Sequence, residues 1–164
     1  TRERFLEIIG KLRAVHPAIG LNTDLIVGFP GETEEDFAQT VSLVEEARFD
    51  NAYVFKYSKR RDTPAATLPD QVPPAVIEER HQRLLERVNA IAAEKYAAFA
   101  GRTVEILVEG PSRRNPDRLE GRTRCGKIVV FDGAERHRRQ LLRLKITRAG
   151  SFTLYGDPAI VNLD

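Results

Sequence analysis

The sequence predicts an α/β segment joined to an all-β one: a short parallel strand-and-helix repeat, then a small antiparallel β-barrel. Three observations carry that expectation. Residues 1–57 alternate helical spacing with short apolar runs, in the order helix, strand, helix, strand. Beyond residue 101 the spacing shortens to strand-like runs separated by turn residues. Charge divides the same way: 13 basic against 16 acidic residues up to residue 100, and 13 against 8 after it, so the halves carry −3 and +5.

In chain order, Phe5, Ile8, Ile9, Leu12 and Val15 recur at intervals of three and four. This predicts an amphipathic helix over 2–15 that ends before His16-Pro17 and covers one face of a sheet. The stretch Leu21–Thr33 is the organising element of the first half. Leu25-Ile26-Val27 is too brief for a helix and breaks into Gly28-Phe29-Pro30-Gly31, as a buried parallel strand over 20–27 does before a tight turn. Thr33-Glu34-Glu35-Asp36 then offers a hydroxyl to free helix N–H groups and carboxylates to the helix's positive end. Ligands of α/β sheets sit at the carboxyl ends of strands, which makes 28–32 the first place to look for bound chemistry. The second helix carries Phe37, Val41, Val44 and Ala47, and Asn51–Tyr57 alternates as a strand. For Glu32 a hydrogen-bonding role and a cap on the following helix are both open, of which capping is expected.

Ser58–Pro74 is a polar loop with four prolines and the cations Lys59, Arg60 and Arg61. A functional loop and a plain linker are both open readings of it. A third helix, with Val76, Ile77, Leu84, Val88, Ile91 and Phe99 on one face and Gly101 as C-cap, spaces two domains. Strands are then expected at 103–109, 119–124, 127–131, 141–146 and 152–155. Five short strands in so few residues suggest an OB-like barrel, a fold that often serves oligonucleotides. Between Gly101 and Arg148 there are 13 basic and 6 acidic residues, an excess that attracts a polyanion, although a solvated barrel surface is the rival reading.

Composition sets the outer limits. With 41% apolar and 30% charged residues the chain folds, and no apolar run reaches the roughly 18 residues a membrane span needs. A cytoplasmic protein with no membrane partner is expected. Cys125 is the only cysteine, so an intramolecular disulfide or a cysteine-ligated cluster cannot be built from this chain alone. The chain starts at Thr1 and has no methionine, and two strands make too small a sheet to stand alone, so a piece of a longer product is expected. His16, His81 and His137 share no ligand-like spacing, so no metal site is expected.

Three ordered motifs carry a family likeness. Asp24-Leu-Ile-Val-Gly-Phe-Pro-Gly-Glu-Thr33, Phe55-Lys-Tyr-Ser58 with Thr63-Pro-Ala-Ala66, and Gly121-Arg-Thr-Arg124 with Val130-Phe131 and Thr153-Leu-Tyr-Gly156 resemble the methylthiotransferases of the radical S-adenosylmethionine superfamily, above all their tRNA-modifying branch. The resemblance runs over nearly the whole chain. It implies the C-terminal part of a radical-SAM partial (β/α) barrel at 1–73, a connecting helix at 74–100 and a TRAM RNA-binding domain at 101–164. Arg60-Arg61-Asp62 departs from the arginine-proline-glycine turn common in the family, which puts that loop's shape in question.

For a full-length parent, the resemblance implies S-adenosylmethionine and two 4Fe-4S clusters, whose cysteine ligands are absent here. It also implies an external electron donor, and methylthiolation of the isopentenylated adenosine beside the anticodon of tRNA. A monomer is expected, with the isolated chain inactive and contributing no catalytic residue. Ile26 and Gly28 align with the motif that touches the cofactor's adenine, one by apolar contact and one by leaving room; Phe29 is placed with them. Plain core for Ile26 and a plain turn role for Gly28 stay open beside this. Phe55 and Tyr57 are read either as base-stacking residues at the same rim or as sheet core. Arg60, Arg113, Arg114, Arg122, Arg124 and Lys127 are the candidate contacts to an anticodon stem-loop. A binding-only RNA module and a branch that modifies a ribosomal protein are the alternatives; the basic stretch Arg113–Arg139 favours tRNA.

Overall fold

The computed structural model describes residues 1–157; the end of the expected barrel domain, 158–164, lies outside the described residues. Two compact units divide between Ile91 and Ala92.

The first unit contains α1 (Arg2–Val15), β1 (Asn22–Val27), α2 (Glu34–Ala47), β2 (Asn51–Lys56), a 3₁₀ turn at Pro64–Thr67 and most of α3 (Pro74–Ala97). β1 and β2 pair in parallel, with Asn22 opposite Asn51 and Ile26 opposite Phe55, and α2 is the crossover between them. The helix begins as its sequence demands. Thr33 Oγ1 accepts from the Asp36 N–H while the Asp36 carboxylate accepts from the Thr33 N–H, a reciprocal capping box. Capping therefore belongs to Thr33 and Asp36, and Glu32 has a different role.

One face of the pair is buried by Phe37, Val44 and Ala47 of α2 and by Leu84, Val88 and Ile91 of α3, which pack with Val27 and Ala52. The other face is open, presenting Ile26, Tyr53 and Phe55, each more than half exposed. α1 departs from expectation. Ile9 is buried and Leu6 packs on the core, but Phe5, Ile8, Leu12 and Val15 stay exposed. Two strands spaced about 5 Å apart offer little width, and α2 and α3 already fill it.

The expected helical run to Phe99 is shorter than predicted: α3 stops at Ala97, and a turn carries the chain to Gly101. Gly101, at φ +78°, donates its N–H to Ile146 O at 2.8 Å and so starts the barrel instead of capping the helix.

The second unit is a closed barrel of β3 (Thr103–Pro111), β4 (Leu119–Thr123), β5 (Ile128–Phe131), β6 (Leu141–Ala149) and β7 (Leu154–Asp157), in the order β3-β4-β5-β7-β6. Every pairing is antiparallel except β5 with β7, which run parallel. Alternation places Ile106, Val108, Val129, Phe131, Leu144, Ile146 and Leu154 inside, with Tyr96 from the end of α3 closing the core. A Cβ at Gly121 would lie 2.5 Å from Leu107 O, so the close approach of β4 to β3 requires glycine there. Among the described residues no helix is long and apolar enough to cross a membrane.

Candidate functional site

Two places gather the candidate residues, one in each unit. In the first, β1 delivers Ile26 to the open sheet face at 58% exposure. Phe55 lies opposite it in register and Tyr53 stacks on Phe55 with ring centroids 6.4 Å apart. Tyr57 divides from Phe55: its hydroxyl is buried without a hydrogen-bond partner among the described residues, and its ring meets Phe29 edge-on at 5.4 Å. Phe29 itself is 47% exposed.

On the side where a side chain would stand, Gly28 leaves room for a neighbouring helix. Its φ is +77°, and a Cβ built on it would lie 2.4 Å from Ile77 Cγ1, so the space beside it belongs to α3. Its N–H donates to Glu32 Oε2 at 2.6 Å. The same carboxylate pairs with Arg80 at 3.0 Å, with side-chain exposures of 11% and 6%. Arg80 also donates to the Glu32 carbonyl and lies over the Phe37 ring. Glu32 thus ties the turn to α3. Sequence reasoning missed Arg80, because Glu78-Glu79-Arg80 reads as an ordinary solvated helix face.

Around this turn three carboxyls are held below the usual carboxylate range. Glu34 is lowered mainly by its hydrogen bond from Arg83, Asp36 by the Thr33 N–H and Glu78 by Lys56. The 58–73 loop is tied back as well. Asp70 O accepts from the Gly31 N–H at 2.9 Å, and the Gln71 amide donates to Ala65 O and Leu68 O. Asp62 takes φ 63°, the left-handed step a glycine would supply, so the departure at 60–62 keeps that feature of the turn. Arg60 is exposed on this loop of the first unit, and the other cations named as RNA contacts belong to the second.

The second place is a cleft of about 360 Å³ in the barrel, bounded by the β3–β4 loop, the outer faces of β4 and β5, and the β6–β7 loop. Arg113, Arg114 and Arg122 line it together with Phe152 and Tyr155. Arg122 is engaged by Glu109 at 3.0 Å, and Arg124, outside the cleft, by Glu105 at 2.9 Å. Both pairs are solvent-exposed and therefore weak enough for a phosphate to displace. Lys127 is a correction. It is 2% exposed, with its ammonium 5.0 Å and 5.3 Å from the ring centroids of Tyr96 and Phe99, so it is a packed cation and not a surface contact. Its sequence position, one residue after Gly126 in a basic stretch, gave no sign of this. Spacing marks Phe152 and Tyr155 only as strand residues, with nothing to set them in a cleft.

The cofactors implied by the resemblance fit unequally. An adenine ring needs an apolar face, which Ile26 and Phe29 offer at the open rim. The clusters do not fit: the sequence holds one cysteine, and among the described residues no group of three or more His, Cys, Asp or Glu could hold a metal.

Comparison with known proteins agrees with the motifs. Residues 97–159 match the TRAM domain family. The chain is 51% identical over 157 residues to a tRNA-2-methylthio-N(6)-dimethylallyladenosine synthase of Clostridium novyi, covering 96% of this chain and 35% of the relative. It is 50% identical over 157 residues to the protein of that name from Moorella thermoacetica, with the same coverage. With the one from Methylacidiphilum infernorum it shares 48% identity over 164 residues, which is 100% of this chain and 35% of the relative. The chain thus spans about a third of the length of the curated relatives it matches. Along 96% or more of its residues the chain is thus similar to a part of the tRNA-2-methylthio-N(6)-dimethylallyladenosine synthases, and its barrel matches the TRAM domain family.

Proposed function

We propose that this chain is the tRNA-docking part of a tRNA methylthiotransferase, together with one wall of its cofactor pocket. In the whole protein, S-adenosylmethionine and iron-sulfur clusters supply radical and methyl chemistry, and the product is the methylthiolated, isopentenylated adenosine beside the anticodon. The residues of this chain bind and orient. Ile26 and Phe29 give the cofactor's adenine an apolar rim and keep water from it, and Glu32 with Arg80 fixes the turn that carries Phe29. Arg113 and Arg114, with Arg122 and Arg124, take the phosphates of an anticodon stem-loop, and Arg60 is a further contact from the loop. With a single cysteine, the 164 residues alone bind RNA without turnover.

The observation that carries this reading is the barrel cleft with Arg113 and Arg114 at its mouth, within the TRAM match. That cationic lining supports tRNA over a ribosomal protein as substrate. The test is the affinity of the chain for an anticodon stem-loop as a function of salt. Affinity should fall steeply, and Arg113→Ala and Arg114→Ala should each reduce the log-log slope by about one. Arg122→Ala and Arg124→Ala should change it less, since each cation is already met by a carboxylate. Salt-independent affinity, or none, would overturn the proposal.

A further inference from the structure

The two walls of the barrel cleft differ in chemistry. Among the described residues neither Arg113 nor Arg114 has an ion-pair partner, whereas Arg118, also in the lining, is held by Asp132 at 2.7 Å. The lining also holds two aromatic rings, Phe152 and Tyr155, which are not equivalent. The Arg148 guanidinium lies 3.5 Å from the Tyr155 ring centroid and occupies that surface. Phe152 is 44% exposed and is braced by a T-shaped contact with Tyr96. Beside the cations stands Glu120, whose carboxylate accepts one hydrogen bond, from the Arg113 N–H at 3.2 Å, and keeps lone pairs for another donor.

Cations alone describe a surface for any nucleic-acid backbone. A half-exposed, braced aromatic and a carboxylate facing them describe something narrower, because bases stacked in a duplex cannot reach an aromatic side chain. A carboxylate would repel phosphate and accepts well from an exocyclic amino group. The volume suits a small ligand.

We propose that the cleft takes one unstacked nucleotide of RNA, with its base on Phe152, its exocyclic amino group toward Glu120 and its flanking phosphates on Arg113 and Arg114. This rests on the RNA-docking reading above and adds that the barrel reads a single-stranded position. It does not simply follow the backbone of the stem.

The experiment measures binding of the 164-residue chain to a fluorescent RNA hexamer, to the same hexamer paired in a duplex, and to a hexamer with one central abasic position. The abasic strand and the Phe152→Ala variant should each bind about tenfold more weakly. Combining the two should produce no further loss, because both remove the same contact. Phe152→Tyr should restore binding, and Glu120→Gln should narrow the preference for cytosine over uracil at that position. Circular dichroism confirms the fold of each variant. Phe152→Leu, which keeps an apolar contact to Tyr96 without a stacking face, replaces Phe152→Ala if that variant is unfolded.

Equal binding of intact and abasic strands by a folded Phe152→Ala or Phe152→Leu chain, at wild-type affinity, would overturn the nucleotide site. Salt-dependent RNA binding that persisted there would leave the docking reading standing. Absence of any salt-dependent binding to RNA would overturn both.

Discussion

Gly28 shows how a single residue serves the fold where the sequence suggests a ligand. Its positive φ and the Ile77 side chain 2.4 Å from a built Cβ are separate obstacles to any other residue. Gly28→Ala should destabilise the first unit by about 2–4 kcal/mol, the sum of backbone strain and overpacking. In an Ile77→Ala background the steric share should vanish and the strain remain, and urea unfolding of the single and double variants measures both. Sequence reasoning found Gly28 because a glycine after an apolar strand is a strong signal, yet it assigned the cleared space to a cofactor. A helix about fifty residues later was not foreseeable as the occupant. The same limit explains Lys127, Arg80 and Arg148: cations that composition places on the surface meet aromatic rings or a buried carboxylate in the fold. Ile26 is the opposite case, an apolar residue in a strand pattern that the structure leaves exposed.

At the scale of elements, periodicity placed the helices and strands to within a few residues, whereas the caps expected at Glu32 and Gly101 serve other contacts. The helix at 2–15, the Thr33 cap and the five strand positions all follow from spacing and turn residues. Pairing partners were less legible, because a strand's own alternation does not say which neighbour closes a barrel. The parallel contact between β5 and β7 depends on the long return of the chain through β6. The start of α2 and the Lys56–Glu78 pair carry a testable pH dependence. Asp36, Glu34 and Glu78 have folded pKa values lowered by the Thr33 N–H, Arg83 and Lys56 respectively. A lowered carboxyl contributes stability that is complete above its unfolded value, about 4 to 4.5, and is lost as pH falls through the folded value. Thermal melts should therefore show the first unit losing stability below about pH 4.5. Thr33→Ala should cost about 1 kcal/mol at neutral pH. It should also flatten the acid loss, since Asp36 then lacks the hydroxyl half of its capping partner.

On the scale of the whole molecule, the chain divides into two units between Ile91 and Ala92, and the TRAM match begins at residue 97. The barrel core nevertheless includes Tyr96, one residue earlier, and Phe99 packs against the same cluster. A chain beginning at Ala92 should therefore keep a cooperative barrel transition, whereas one beginning at Arg102 should lose it or melt well below the full chain, as followed by circular dichroism. Equal melting of the two would show that the rings over Lys127 are dispensable.

Lys127 lies with its amine beneath those rings, the one buried lysine among the described residues. Amine-reactive reagents in solution meet it only when the end of α3 lifts from the barrel. Its acylation would thus act as a slow clock on that opening, timed against the exposed Lys11, Lys56, Lys59 and Lys145, which react at once.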